Sequence, residues 1–169
     1  FKLDSSSGVS ELKMRGSAIH DGMMKEGVYI PRDLSDEGYF ASGDIVSTDG
    51  HGYYIEGRAK EVIINASGEN IYPDELEDTF AEIQGLDGLC VTGISNGTEY
   101  EDIALVVHFA PDGAKMQAFI DEIMQINAKL PIYKRLKRAF VAQEALPVAN
   151  GIKVRRQKLR QMVEAGTFP

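Results

Sequence analysis

Near the start of the chain, apolar and polar residues alternate with period two in "SELKMRG" (10–16) and "GYYIEGR" (52–58). Gly, Asp and Ser punctuate the intervals between these runs, as they do between short strands. The Asp49-Gly50 pair in "STDGHGYY" lies between two such runs and predicts a hairpin. Residues 1–59 therefore read as β-rich and turn-rich.

The pattern changes after Arg58. "EVIIN" and "NIYP" predict two short strands around the turn "ASGE" (66–69). "PDELEDTFAEI" then predicts a helix with Leu76, Phe80 and Ile83 as its buried stripe, Asp74 at the N-cap and Glu77 three residues on as a capping-box partner. "GLCVTGIS" and "DIALVVHFA" predict core strands joined by the polar turn "NGTEYE". A second amphipathic helix follows in "GAKMQAFIDEIMQINAKL", turning Met116, Phe119, Ile120, Ile123 and Ile126 inward. "RAFVAQ" predicts another strand and "RRQKLRQMVEAG" a closing helix. The second part is thus expected to be α+β, with helices on a mostly antiparallel sheet. The shift in pattern places a domain boundary between 1–59 and 60–169.

Composition narrows the picture. The chain has 169 residues, enough for one ordinary domain or a domain with an appendage. No apolar run approaches the ~20 residues needed to cross a bilayer, and no signal-peptide pattern opens the chain. The single Cys90 rules out an internal disulfide framework and points to a reducing, cytoplasmic setting; it reads as a buried strand thiol rather than a nucleophile. A net charge of −8 argues against nucleic acid as the main partner. The charge is uneven, however: "YKRLKR" (133–138) and "KVRRQKLR" (153–160) are basic, which fits either solvated faces or an anion site. The absence of an initial methionine before Phe1 leads to the expectation that the chain is a piece of something larger.

Three polar constellations carry candidate chemistry. In "EGYFASGD" (37–44), Asp44 follows aromatic residues at an expected strand end. Its carboxylate can close an ordinary Asx-turn or accept hydrogen bonds from a ribose diol. In "EGRAKEVIINASGENIYPDE" (56–75), Arg58 offers a rigid multi-donor fork, and Lys60 stands at the boundary itself. The turn with Ser67 and Gly68 lets a ligand approach main chain closely. In "LPVANGIKVRRQKL" (146–159), Pro147, Asn150 and Gly151 predict a loop, with Lys153 just before a helix. That lysine is either a solvated charge or one that neutralises phosphate or carboxylate. His20, His51 and His108 show no metal-ligand spacing, and no phosphate-cradling loop or nucleophile–base pair is present.

In order and spacing these segments resemble the C-terminal end of the adenylate-forming superfamily, which includes the acyl- and aryl-CoA synthetases. "SELKMRGSAIHDG" resembles that family's "GELxIRGxxIxxGY", and "GYFASGD" its "GYxxTGD", with Ser42 in place of Thr. "GRAKEVIINASGENIYPDELE" resembles "GRxKxxIxxxGENIxPxExE", and "LPVANGIKVRR" the closing "LPxTxxGKxxR". The turn after "EVII" is one residue longer than in many short-chain and aryl members, and Ile152 separates Gly151 from Lys153. Both departures resemble the long-chain fatty-acyl-CoA branch.

The resemblance implies a two-step reaction. A carboxylate attacks the α-phosphate of Mg-ATP to give an acyl-adenylate, and the thiol of CoA then displaces AMP. By position it implies ribose contacts for Asp44 and Arg58 and a hinge at Lys60. It places Lys153 at the carboxylate and α-phosphate, and Ser67 and Gly68 along the CoA pantetheine. It further implies that residues 1–59 end a large AMP-binding domain and that 60–169 form a mobile lid. The phosphate loop, acyl pocket and Mg2+ site would lie in the missing large domain, leaving the isolated chain inactive. Two other readings stand beside it: a lid that loads a carrier-protein thiol, and a stand-alone module for anions or nucleic acid.

Overall fold

The computed structural model describes residues 1–5, 10–109, 116–149, 151 and 153–167, and Asn150 and Ile152 of the loop before Lys153 lie outside them. The chain divides into two compact units, Phe1–Lys60 and Glu61–Pro169.

In the first unit, β1 (Lys2–Asp4), β2 (Glu11–Met14), β5 (Phe40–Thr48) and β6 (Tyr53–Arg58) form an antiparallel sheet in the order β1-β2-β5-β6. A separate hairpin pairs β3 (Gly22–Lys25) with β4 (Val28–Pro31). The hairpin expected at Asp49-Gly50 is the β5–β6 connection. There the Asp49 carboxylate accepts the backbone N–H groups of His51 at 2.8 Å and Gly52 at 3.0 Å. Asp44, in contrast to its expected place at a strand end, lies in the interior of β5. Gly43 enters the left-handed region at φ +77 inside that strand, and the register against β6 shifts between Ile45 and Val46. The chain thus bends through a bulge instead of ending, and the strand continues to Thr48.

The second unit begins with the expected hairpin, β7 (Ile63–Ile64) against β8 (Asn70–Ile71), followed by α1 (Pro73–Phe80). The central sheet has the order β11-β10-β9, with β9 (Leu86–Ser95) and β10 (Glu101–Phe109) antiparallel. β11 (Arg138–Ala142) runs parallel to β10, because α2 (Met116–Lys129) carries the chain back between them. The short hairpin of β12 (Val148–Ala149) and β13 (Lys153–Val154) leads into α3 (Arg156–Glu164). No helix among the described residues is long and apolar enough to cross a membrane.

Strand alternation divides the core of this unit between the two faces of the sheet. Val91, Ile103, Leu105 and Val107 pack on one face with Ile63 and Ile71 of the β7–β8 hairpin, Leu76 and Phe80 of α1, and Phe119 and Ile123 of α2. Cys90, Val106 and Ala142 pack on the other with Leu146, Val154 of β13 and Leu159 of α3. The predicted stripe Leu76, Phe80 and Ile83 is fully buried, as is the Cys90 thiol. Burial of a side chain such as Phe80 stabilises the fold by roughly 2–3 kcal/mol.

The expected capping box at Asp74 and Glu77 does not form. Tyr72 is the N-cap, without a side-chain cap, and Pro73 takes the first helical turn. Proline needs no N–H partner and has its φ preset there, so Asp74 falls inside the helix, and both carboxylates turn to Arg156 instead.

Candidate active site

Asp44 and Arg58 are directly opposite one another across the β5–β6 pairing. The Arg58 guanidinium forms an ion pair with the Asp44 carboxylate and also reaches the carbonyl of Ser42 at 3.4 Å. The bulge beneath them is pinned from two sides. Gly43 donates its N–H to the Glu11 carboxylate at 3.0 Å, and the Gly43 carbonyl accepts from Ala59 N–H at 2.8 Å. Ser42 Oγ accepts from the Asp44 N–H at 3.0 Å. Half of the Arg58 side chain remains exposed, so the pair is a surface feature with a built backbone rather than a buried bridge. Lys60 follows in the turn after β6 and is the last residue of the first unit.

Ser67 and Gly68 occupy the tip of the β7–β8 hairpin, both exposed. Gly68 sits at φ +74, where other residues would be strained, and no described heavy atom lies within 4 Å of where a Cβ would be. Asn65 organises this turn: its Oδ1 accepts from Ser67 N–H at 2.9 Å and Glu69 N–H at 3.1 Å.

Lys153 is exposed in β13. Its strand packs Val154 into the cluster on one face of the central sheet, whereas the hairpin bearing Ser67 and Gly68 packs Ile63 and Ile71 into the cluster on the other. The structure therefore brings Asp44 and Arg58 together, and it sets Lys153 and the Ser67–Gly68 turn on elements that cover opposite faces of one sheet.

Three residues downstream of Lys153, the basic run turns inward. Arg156 is only 8% exposed. Its Nε donates to the Val91 carbonyl at 2.9 Å, its Nη2 to Asp74 at 2.7 Å and to Glu77 at 2.8 Å, and its Nη1 pairs with Glu61. The Glu77 carboxylate accepts the Val91 N–H at 2.8 Å. Both open backbone groups of Val91, on the outer strand of the sheet, are thus satisfied by one ion pair between α1 and α3. Burial pushes the Glu77 carboxyl up to about 7, opposed by the Val91 N–H and, more weakly, by the Lys153 charge. Burial also lowers the Arg156 guanidinium to about 10 and raises the Cys90 thiol. Arg160 pairs with Glu101 and Glu164. Of the basic residues in "KVRRQKLR", Arg156 and Arg160 are therefore structural, whereas Lys153, Arg155 and Lys158 are exposed.

Sequence reasoning missed Glu11, Asn65 and Arg156. Two of these had a legible signal: Asn65 opens an Asn-Ala-Ser-Gly turn suited to an Asx cap. Arg156 shares a helical stripe with Leu159 and Val163 at spacings of three and seven.

No family model matches the chain. Individual proteins do match: the relatives and structure neighbours of this chain are acyl- and aryl-CoA ligases of the AMP-binding, adenylate-forming family. It is 33% identical to a long-chain-fatty-acid–CoA ligase of Mycobacterium tuberculosis over 79% of its length and 26% of the ligase. It is 26% identical to a 2-succinylbenzoate–CoA ligase of Staphylococcus epidermidis over 90% of its length and 31% of that protein. Among solved structures, a Mycobacterium tuberculosis fatty acyl CoA synthetase superposes with a TM-score of 0.57 at 30% identity, covering 79% of this chain and 26% of that one. The chain thus spans between a quarter and a third of the length of the curated relatives it matches.

Proposed function

We propose that this chain is the C-terminal part of an ATP-dependent acid–CoA ligase, comprising the end of a large AMP-binding domain and, from the boundary at Lys60, a lid that turns about that residue. The observation that carries the reading is the two-sided second unit. Lys153, expected at the adenylation step, and the Ser67–Gly68 turn, expected at the thiolation step, belong to elements on opposite faces of one sheet. A rigid lid built in this way offers one face to each half-reaction, and a hinge motion exchanges them.

In this reading the Asp44 carboxylate, oriented by Arg58, accepts hydrogen bonds from the ribose hydroxyls of ATP. The Lys153 ammonium stabilises charge developing on the substrate carboxylate and α-phosphate as the acyl-adenylate forms and pyrophosphate leaves. After rotation, main chain at Ser67 and Gly68 lines the path of the CoA pantetheine, whose thiol displaces AMP. Mg2+ accompanies ATP. The large domain would hold that ion. A fatty acid is the proposed substrate, supported by the long turn after "EVII", the Gly-Ile-Lys ending and the identity with the mycobacterial ligase. The acidic net charge supports a small-molecule enzyme over a nucleic-acid-binding module, and the single cysteine supports a cytoplasmic setting.

The test is Lys153→Ala in the full-length ligase. Acid-dependent ATP–pyrophosphate exchange should fall by about a hundredfold or more, while thiolation of supplied acyl-adenylate persists. Equal loss of both half-reactions refutes the assignment. The 169-residue chain alone should release no pyrophosphate from acid and ATP.

A further inference from the structure

We propose that Asn65 is a positioning residue for CoA: it holds the Ser67–Gly68 turn in place by tying it both to itself and to the segment Ile132–Lys134. The proposal rests on the reading of that turn as a pantetheine contact. The hairpin that carries the turn is very short. β7 and β8 have two residues each, and only Ile63 and Ile71 at its base are buried in the core. A two-stranded ribbon of that length does not hold its own shape in water. Its tip, moreover, is exposed from Ala66 to Glu69.

Asn65 supplies what the ladder lacks, and all of its polar atoms are engaged. Its backbone N–H donates to Glu69 O at 3.2 Å, and its carbonyl accepts from Gly68 N–H at 2.8 Å. Its Oδ1 accepts from Ser67 and Glu69, at 2.9 and 3.1 Å. Its Nδ2 donates to the Tyr133 carbonyl at 2.6 Å, across 68 positions of sequence. The residue itself is 7% exposed, so these bonds are shielded from competing water. Oδ1 sets the conformation of the turn, and Nδ2 sets where the turn sits on the domain. A ligand that approaches the main chain of Gly68 needs both.

The measurements are made on the full-length ligase with its two half-reactions separated. Asn65→Ala should raise the KM for CoA about tenfold in thiolation from supplied acyl-adenylate, as expected for loss of shielded hydrogen bonds, with ATP–pyrophosphate exchange unchanged. Asn65→Asp keeps the acceptor for the turn but faces Tyr133 O with an oxygen, and should give a smaller rise of the same kind. Ser67→Tyr, which places bulk on the exposed turn, tests the underlying reading and should raise the same KM. If Ser67→Tyr raises the KM for CoA and Asn65→Ala does not, the positioning role is overturned. If exchange and thiolation fall together in Asn65→Ala, the residue is a general structural one and the proposal fails. If Ser67→Tyr leaves CoA use untouched, the pantetheine reading falls and the proposal with it.

Discussion

Replacing Arg156 by Met removes a buried guanidinium and leaves Glu61, Asp74 and Glu77 facing one another, with the Val91 carbonyl deprived of its donor. Met is close enough in volume that the cavity contribution is small. The loss is therefore electrostatic. Removing one partner of a buried ion pair costs about 3–5 kcal/mol, because the charge left behind is uncompensated. For a unit of roughly 110 residues, an unfolding entropy of about 2.1 cal/mol/K per residue converts 4 kcal/mol into a Tm drop of about 15–20 °C. The assay is urea and thermal unfolding of the chain followed by circular dichroism, at pH 8 and again at pH 5. Protonation relieves the crowded carboxylates, so the native variant gains protons that the unfolded one lacks, and the deficit should shrink as the pH falls. A deficit below about 1 kcal/mol, or one independent of pH, would show that the cluster is already relaxed by solvent and refute the reasoning.

Two further predictions concern the same unit. Burial raises the folded Glu77 carboxyl from 4.5 to about 7. Its contribution to stability is thus fully present below pH 4.5 and is lost as the pH rises through about 7. Glu77→Gln removes that titration, so the stability of wild type relative to the variant should decline by about 3 kcal/mol between pH 4.5 and 7.5; a flat difference in urea titrations across that window would contradict it. Phe80→Ala empties a fully buried site in the larger cluster and should cost about 3–5 kcal/mol, read as a lower urea midpoint with unchanged slope.

Periodicity made the elements of both units legible, because alternation and helical stripes reflect burial directly. Leu76, Phe80 and Ile83 are buried as their spacing required. Where tertiary partners decide, the pattern was silent. Asp74 looks like a cap locally, but Pro73 shifts the helix start and Arg156, 82 positions away, claims the carboxylate. Asp44 looks like a strand end because Gly43 precedes it, yet Glu11 and Ala59 hold that glycine as a bulge in a continuing strand. Asp44, Arg58, Ser67 and Lys153 stand out in the sequence as polar residues that packing does not explain, and Gly68 as the permissive point of its turn. Asn65 and Arg156 carry local signals, an Asx-type turn and a helical stripe, but their bonds to the Tyr133 and Val91 carbonyls, 68 and 65 positions away, depend on tertiary packing that no local pattern encodes.

The way Glu77 and Arg156 take up the N–H and C=O of Val91 also bears on how copies of this protein meet one another. An outer strand with unmatched backbone groups invites a strand from a second molecule. Here a carboxylate and a guanidinium imitate a neighbouring strand for one residue and offer nothing on which a ladder could grow. Glu164 repeats the device at Ser95, accepting its N–H at 2.9 Å. Loss of this side-chain cover would leave the N–H and C=O of Val91 open on an outer strand, the kind of edge to which a second strand can add.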